Sequence, residues 1–188
     1  MLGAINAEAQ DIKLVTPDTS GGMPVLDAIK ARRAGRTISD KMLSDKHLST
    51  LLWSVWGYSS EDGKRVVPTA MNEQRMELYV VTPNGWYLYD AKENTLVQKG
   101  NQDLRPLIAQ GQDYAKIAPV HLLFVTDDKK YGAAHAGSMY ENAGLYCASE
   151  ELQCVVRAWI DQAALKSEMK LTGDNEVVIT MAVGYPVQ

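Results

Sequence analysis

Met76-Glu77-Leu78-Tyr79-Val80-Val81-Thr82, Pro83-Asn84-Gly85 and Trp86-Tyr87-Leu88-Tyr89-Asp90 follow one another without a break, and this stretch decides the fold class. Two runs rich in β-branched and aromatic residues flank an Asn-Gly step, the pattern of an antiparallel hairpin. Downstream, Val120 to Val125 is a continuous apolar run that suits a strand buried on both faces. Cys154 to Trp159 and Glu176 to Val183 give two further strands. Helical periods lie between and before them. Leu48, Leu51, Leu52 and Val55 fall at i, i+3, i+4 and i+7, with Ser44 placed to cap that helix. Trp53 and Trp56 extend its face as packing residues. Pro24 opens an earlier helix with Val25, Leu26 and Ile29 as its apolar face, expected to stop near Gly35. A short helix is expected over Leu104 to Gln110 and a long one over Tyr131 to Ser149, and Asp161 caps a last one through Met169. The long helix carries Ala136, Met139, Tyr140, Ala143 and Cys147 on one stripe and is rich in small residues, which permit close backbone approach. Helices and strands in mixed order around a central hairpin predict an α+β fold rather than a doubly wound parallel sheet.

At 188 residues the chain suits one domain, able to bury about 70% of its unfolded surface. A composition 46% hydrophobic and 22% charged is that of an ordinary globular protein. A net charge of −4 argues against a general nucleic-acid binder. No run approaches the ~20 apolar residues of a membrane span. The two cysteines, Cys147 and Cys154, provide no disulfide framework, and their separation suits either thiols brought together across a helix end or two unlinked buried thiols. Residues 1–22 read as a lead-in and 23–188 as the domain. Ala7-Glu8-Ala9 has the small-x-small look of an export cleavage site, so 1–22 is either the remnant of an export signal or an ordinary terminus.

Ala31-Arg32-Arg33-Ala34-Gly35-Arg36-Thr37 concentrates three arginines in five residues. On a helix Arg32, Arg33 and Arg36 share a face, and guanidinium forks suit a phosphate. They would also complement a helix dipole without any ligand. Other chemistry is scarce. There is no GxxxxGK[ST], no GxGxxG after a strand and no Gly-x-Ser-x-Gly. His47, His121 and His135 have no metal-ligand spacing, and Asp127-Asp128 reads as a solvated turn. An enzyme of this composition would rely on a bound cofactor for its reaction.

The order of these segments resembles the FMN-dependent nitroreductase family, in its branch of compact nitroreductases and thiazole/oxazole dehydrogenases. The resemblance rests on Arg32-Arg33-Ala34-Gly35-Arg36, Leu52-Trp53-Ser54-Val55-Trp56-Gly57, Pro68-Thr69-Ala70-Met71-Asn72-Glu73-Gln74 and the ending Val183-Gly184-Tyr185-Pro186. It implies an α+β homodimer, with a mostly antiparallel sheet flanked by helices and FMN at the interface. It also implies that Arg32, Arg33, Ala34 and Arg36 hold the flavin phosphate and ribityl end, with Ala34 where the family usually has Ser. Pro68, Thr69, Ala70 and Asn72 would reach the flavin from the partner subunit. Arg157, Ala158 and Trp159 would lie along the flavin ring, and Asn101 or Arg105 would match a polar position near ring or phosphate.

Two functions follow. One is an oxidoreductase that passes electrons from NAD(P)H through FMN to a nitroaromatic, quinone or similar acceptor, with no catalytic side chain of its own. The other is a dimeric binding or structural module of the same fold without redox turnover. The missing Ser at 34, and the absence after Pro186 of the basic residues many members carry, motivate the second.

Overall fold

The computed structural model describes residues 10–187; the Ala7-Glu8-Ala9 reading lies outside them. In chain order the elements are β1 (Ile12–Lys13), α1 (Val25–Ala31), α2 (Asp45–Trp56), β2 (Met76–Thr82), β3 (Gly85–Asp90), β4 (Thr95–Gly100), α3 (Arg105–Ala109), α4 (Asp113–Ile117), β5 (Val120–Thr126), α5 (Gly132–Ser149), β6 (Gln153–Arg157), α6 (Gln162–Glu168) and β7 (Glu176–Gly184). One sheet of seven strands runs in the order β1-β4-β3-β2-β5-β7-β6. Every neighbouring pair is antiparallel. The α+β expectation therefore holds.

The alternation of side chains along a strand separates two cores. Leu78 and Val80 of β2, with Leu122 and Phe124 of β5, face the larger one beside α2 and α5. Tyr79, Val81, Leu123 and Val125 face the smaller one, closed by Leu104 and Ile108 and by Leu165 and Met169. Helices on both faces explain why β5 is largely apolar, His121 and Thr126 apart, and buried at every position. Helix α2 forms as read: Ser44 Oγ accepts from the His47 amide at 3.2 Å, and Leu48, Leu51, Leu52 and Val55 are buried. Asp161 likewise accepts from the Ala164 amide at 3.0 Å.

Four local expectations need correction. The hairpin turn is Pro83-Asn84, and Gly85 already pairs with Thr82 in β3. Its φ of +141° and the Gly100 carbonyl 2.4 Å from where a Cβ would sit explain the shift. Strand β6 ends at Arg157, short of Trp159. Asp128 is buried, not solvated, and its Oδ1 accepts from the Lys130 and Tyr131 amides at 2.9 Å each. Helix α1 buries only Ala28, while Val25, Leu26 and Ile29 are 63%, 76% and 54% exposed. The periodicity of α1 is right, but its apolar face is turned outward.

Within 10–22, Ile12–Lys13 pair with β4, and Leu14 belongs to the larger core. Strand β4 and helix α4 also lack a sequence expectation. Among the described residues no helix is long and apolar enough to cross a membrane.

Candidate functional site

Helix α1 ends at Ala31, four residues before Gly35. The last helical bond runs from the Arg32 amide to the Ala28 carbonyl at 2.8 Å. The Gly35 amide then turns to the Cys154 carbonyl at 2.8 Å, laying the segment against the β6 edge. A Cβ on Gly35 would sit 1.7 Å from Gln153 Oε1, so only glycine fits without moving that side chain. The chain then reaches the residues after β7, with the Ser39 amide on the Tyr185 carbonyl at 2.9 Å. Arg32, Arg33 and Arg36 therefore do not share a helical face; they are presented from non-helical backbone.

They nevertheless converge. Arg32, Arg33, Ala34 and Arg36 line one cavity of about 180 Å³, closed by Tyr140, Glu141 and Gly144 of α5 and by Cys154 to Val156 of β6. The small-residue character of α5 has its use here, because the Arg32 stem lies 3.2 Å from where a Gly144 Cβ would stand. Arg32 Nε pairs with Glu141 at 3.4 Å, both side chains partly exposed. Arg33 Nη1 donates to the Lys30 and Arg32 carbonyls at 2.8 Å each. The Arg36 guanidinium lies 5.8 Å from the Tyr114 ring centroid. Three arginines against one glutamate leave the cavity lining two charges positive. That matches a phosphate monoester, which carries about −1.5 to −2 at neutral pH. Glu141, Tyr140 and Cys154 had no local sequence signal, since only the meeting of α5 and β6 brings them here.

Cys147 and Cys154 lie side by side, both buried and both free. A hydrogen bond between them raises the Cys147 thiol, which burial raises further, and lowers that of Cys154. The thiols are thus brought together, as one alternative had it, and both are free and buried, as the other had it.

Segment 68–74 lies elsewhere on α5. Pro68 is exposed, and Thr69 is extended at φ −129°. Thr69 Oγ1 is buried without a hydrogen-bond partner. Ala70 to Asn72 form a single 3-10 turn. Met71, Asn72 and Gln74 have φ of +51°, +56° and +53°. Left-handed backbone costs an L-residue about 1–2 kcal/mol, less for Asn. The turn is held from outside: the Ala70 amide donates to His135 Nε2 at 2.8 Å, and Gln74 bonds Arg65 Nε and the Gly63 carbonyl at 2.9 Å each. The arginine cavity includes no residue of this segment. His135 stands nine residues before Gly144, about 13 Å along the helix axis. Within one chain the two halves of the expected site do not meet.

The remaining candidates divide. Arg157 is 5% exposed, and its guanidinium is spent on carbonyls: Nη1 to Ile108 at 2.5 Å, Nη2 to Ala109 at 2.9 Å and to Trp159 at 3.2 Å. What 157–159 offers outward is backbone and the Trp159 ring, 65% exposed, while Ala158 is also exposed. Arg105 is held by Asp103, with Nη2 to Oδ2 at 2.8 Å and Nε to Oδ1 at 2.9 Å. Asn101 is exposed in the turn after β4.

The model of the nitroreductase family matches residues 29–185. The chain belongs to the nitroreductase family. A crystal structure from Ralstonia eutropha JMP134, whose name assigns it to the nitroreductases, is 34% identical; the match covers 98% of this chain and 93% of that one at a TM-score of 0.89. Two more distant structures share the fold. One, from Parabacteroides distasonis ATCC 8503 and named an NADH dehydrogenase/NAD(P)H nitroreductase, is 17% identical, with 87% and 88% covered at a TM-score of 0.65. The other, named an oxidoreductase containing FMN, is 16% identical, with 90% and 80% covered at a TM-score of 0.65. No curated protein matches the sequence.

Proposed function

We propose that this nitroreductase-family chain is a flavin oxidoreductase that passes electrons from NAD(P)H to a nitroaromatic, quinone or similar electron-poor acceptor. The observation that carries this reading is the cavity with a net positive lining, where Arg32, Arg33 and Arg36 converge on space for a phosphate. The unpartnered Thr69 Oγ1 supports it from the other segment, as a buried polar atom with a ligand bond to give.

FMN, when bound, supplies the two-electron chemistry, accepting hydride from the nicotinamide and releasing electrons to the second substrate. The protein's part is binding, orientation and charge. Arg32, Arg33 and Arg36 neutralise the phosphate, and the Ala34 backbone shapes the wall beside them. With no hydroxyl at 34, the guanidinium forks carry the phosphate end. Donor and acceptor would use the same face in turn, giving ping-pong kinetics.

A homodimer completes the site in this proposal. Val25, Leu26 and Ile29 on α1 are an apolar face open to water, and exposed apolar patches mark association surfaces. Met71 at 80% and Trp159 at 65% exposure lie in the two segments expected at the flavin. Pro68, Thr69, Ala70 and Asn72 of one protomer would then reach the cofactor held by its partner, with Asn72 orienting the ring. That arrangement accounts for the separation of the two segments within a single chain.

The test is a titration of the purified protein with FMN, read as flavin fluorescence and visible absorption, followed by NADH or NADPH. Saturable uptake and bleaching of the flavin band are expected. Protein that takes up no FMN from an excess would overturn the reading. A module without turnover is favoured by one observation: Arg105 and Arg157 are committed to internal bonds. Arg32→Ala with Arg36→Ala separates the two readings. Lost FMN affinity in an intact dimer supports the enzyme, and lost folding alone supports the module.

A further inference from the structure

Of the hydrogen bonds that hold the left-handed turn of the 68–74 segment from outside, one comes from a helix. The Ala70 amide donates to Nε2 of His135 at 2.8 Å, and His135 is 6% exposed in the first turns of α5. An imidazole nitrogen that accepts carries no proton, so the proton of the neutral ring sits on Nδ1. Nδ1 is buried with no hydrogen-bond partner and lies 3.9 Å from Asp128 Oδ2. The ring is thus held in one tautomer.

The groups facing His135 come from the β5–α5 connection and from the residue before β2. Asp128 faces Nδ1 and keeps its other oxygen on the Lys130 and Tyr131 amides. The Tyr131 ring lies 6.2 Å away, with Lys130 Nζ 4.8 Å from the centroid of that same ring. Asp127 is tied to Arg75 at 2.9 Å. The turn it anchors holds Met71 and Asn72 in left-handed backbone, a conformation that persists only where surrounding contacts impose it.

We propose that His135 is a positioning residue that latches the 69–72 turn onto α5, with its Nε2 as the acceptor and the Ala70 amide as the donor. Resting on the flavin reading above, the consequence is that His135 sets the 69–72 clasp for the flavin from outside the arginine cavity.

The experiment has two arms. In flavin-free protein, amide hydrogen exchange of the 68–74 peptide is followed in wild type, His135→Gln and His135→Ala. Glutamine can accept from the Ala70 amide. His135→Ala should exchange roughly tenfold faster than wild type, with His135→Gln close to wild type. In the second arm the FMN dissociation constant is measured for the three proteins. His135→Ala should bind more weakly than wild type, and His135→Gln should recover most of the loss. Equal exchange in wild type and His135→Ala, or a His135→Gln protein no better protected than His135→Ala, would overturn the latch. Absence of FMN binding in all three proteins would overturn the flavin reading, and the exchange arm would still decide the latch.

Discussion

Arg157 of β6 donates through Nη1 to the carbonyl of Ile108 at 2.5 Å, closing the end of α3 from the neighbouring layer. Helix α3 has five residues, and its C-cap, Gln110, is left-handed at φ +47°. Such a short helix cannot satisfy its own last carbonyls. A buried guanidinium does it instead, and Nη2 takes the Ala109 carbonyl as well. Replacing Arg157 with Met keeps much of the volume and removes the donors. Stability should fall by about 2–4 kcal/mol in urea denaturation. Arg157→Lys should recover little of it, because an ammonium cannot reproduce the fork. A change below about 0.5 kcal/mol would show that water serves these carbonyls equally well.

His121 in β5 gives the protein a pH dependence of its own. It is fully buried, with Nε2 on the Ala115 carbonyl at 2.7 Å. Burial lowers its pKa from 6.5 to about 4. The unfolded chain therefore takes up a proton below about pH 6.5 that the native protein refuses until about pH 4. Native stability should fall as pH drops through that window, by about 3 kcal/mol at its foot. His121→Gln should remove this component, read as the difference between the two stability–pH curves. Curves that stay parallel from pH 7 downward would contradict the buried neutral ring.

Glu141 opposes the charge balance on which the arginine cavity depends. Its carboxylate pairs with Arg32 at 3.4 Å in a partly exposed setting. Glu141→Gln should tighten FMN binding by roughly 2- to 10-fold at low salt, and the gain should shrink in high salt. Equilibrium titration at two ionic strengths reads both effects. A loss of affinity on this substitution would mean that Glu141 aims Arg32 rather than competing with the phosphate for it.

Gly85 is fixed by backbone on both sides. At φ +141°, with the Gly100 carbonyl 2.4 Å from a prospective Cβ, Gly85→Ala must move β4 or strain β3. A loss of about 2–3 kcal/mol in thermal or urea unfolding is expected.

Much of this architecture was legible because its causes are local. The β-branched and aromatic run of Met76–Thr82, the turn chemistry at Asn84-Gly85 and the Ser44 cap act over a few residues. The strand therefore reads off the sequence, and the turn does to within one position. Strand β1 escaped because Ile12 and Lys13 are both exposed and gain their strand character only from β4. The arginines stand on a different backbone from the one their period predicts. What ends α1 early is Gly35 meeting the Cys154 carbonyl, a contact that no local window contains. Periodicity likewise told that Val25, Leu26 and Ile29 share a side, but not what covers it. His135 escaped for a different reason: a lone histidine in a helical run gives no sign of which amide it will accept from.

Three aliphatic side chains on α1 stand in water in the single chain. If a second copy covers them, dilution acts as a denaturant, and the melting temperature should climb with protein concentration. Leu26→Glu should abolish that slope while leaving the two cores intact.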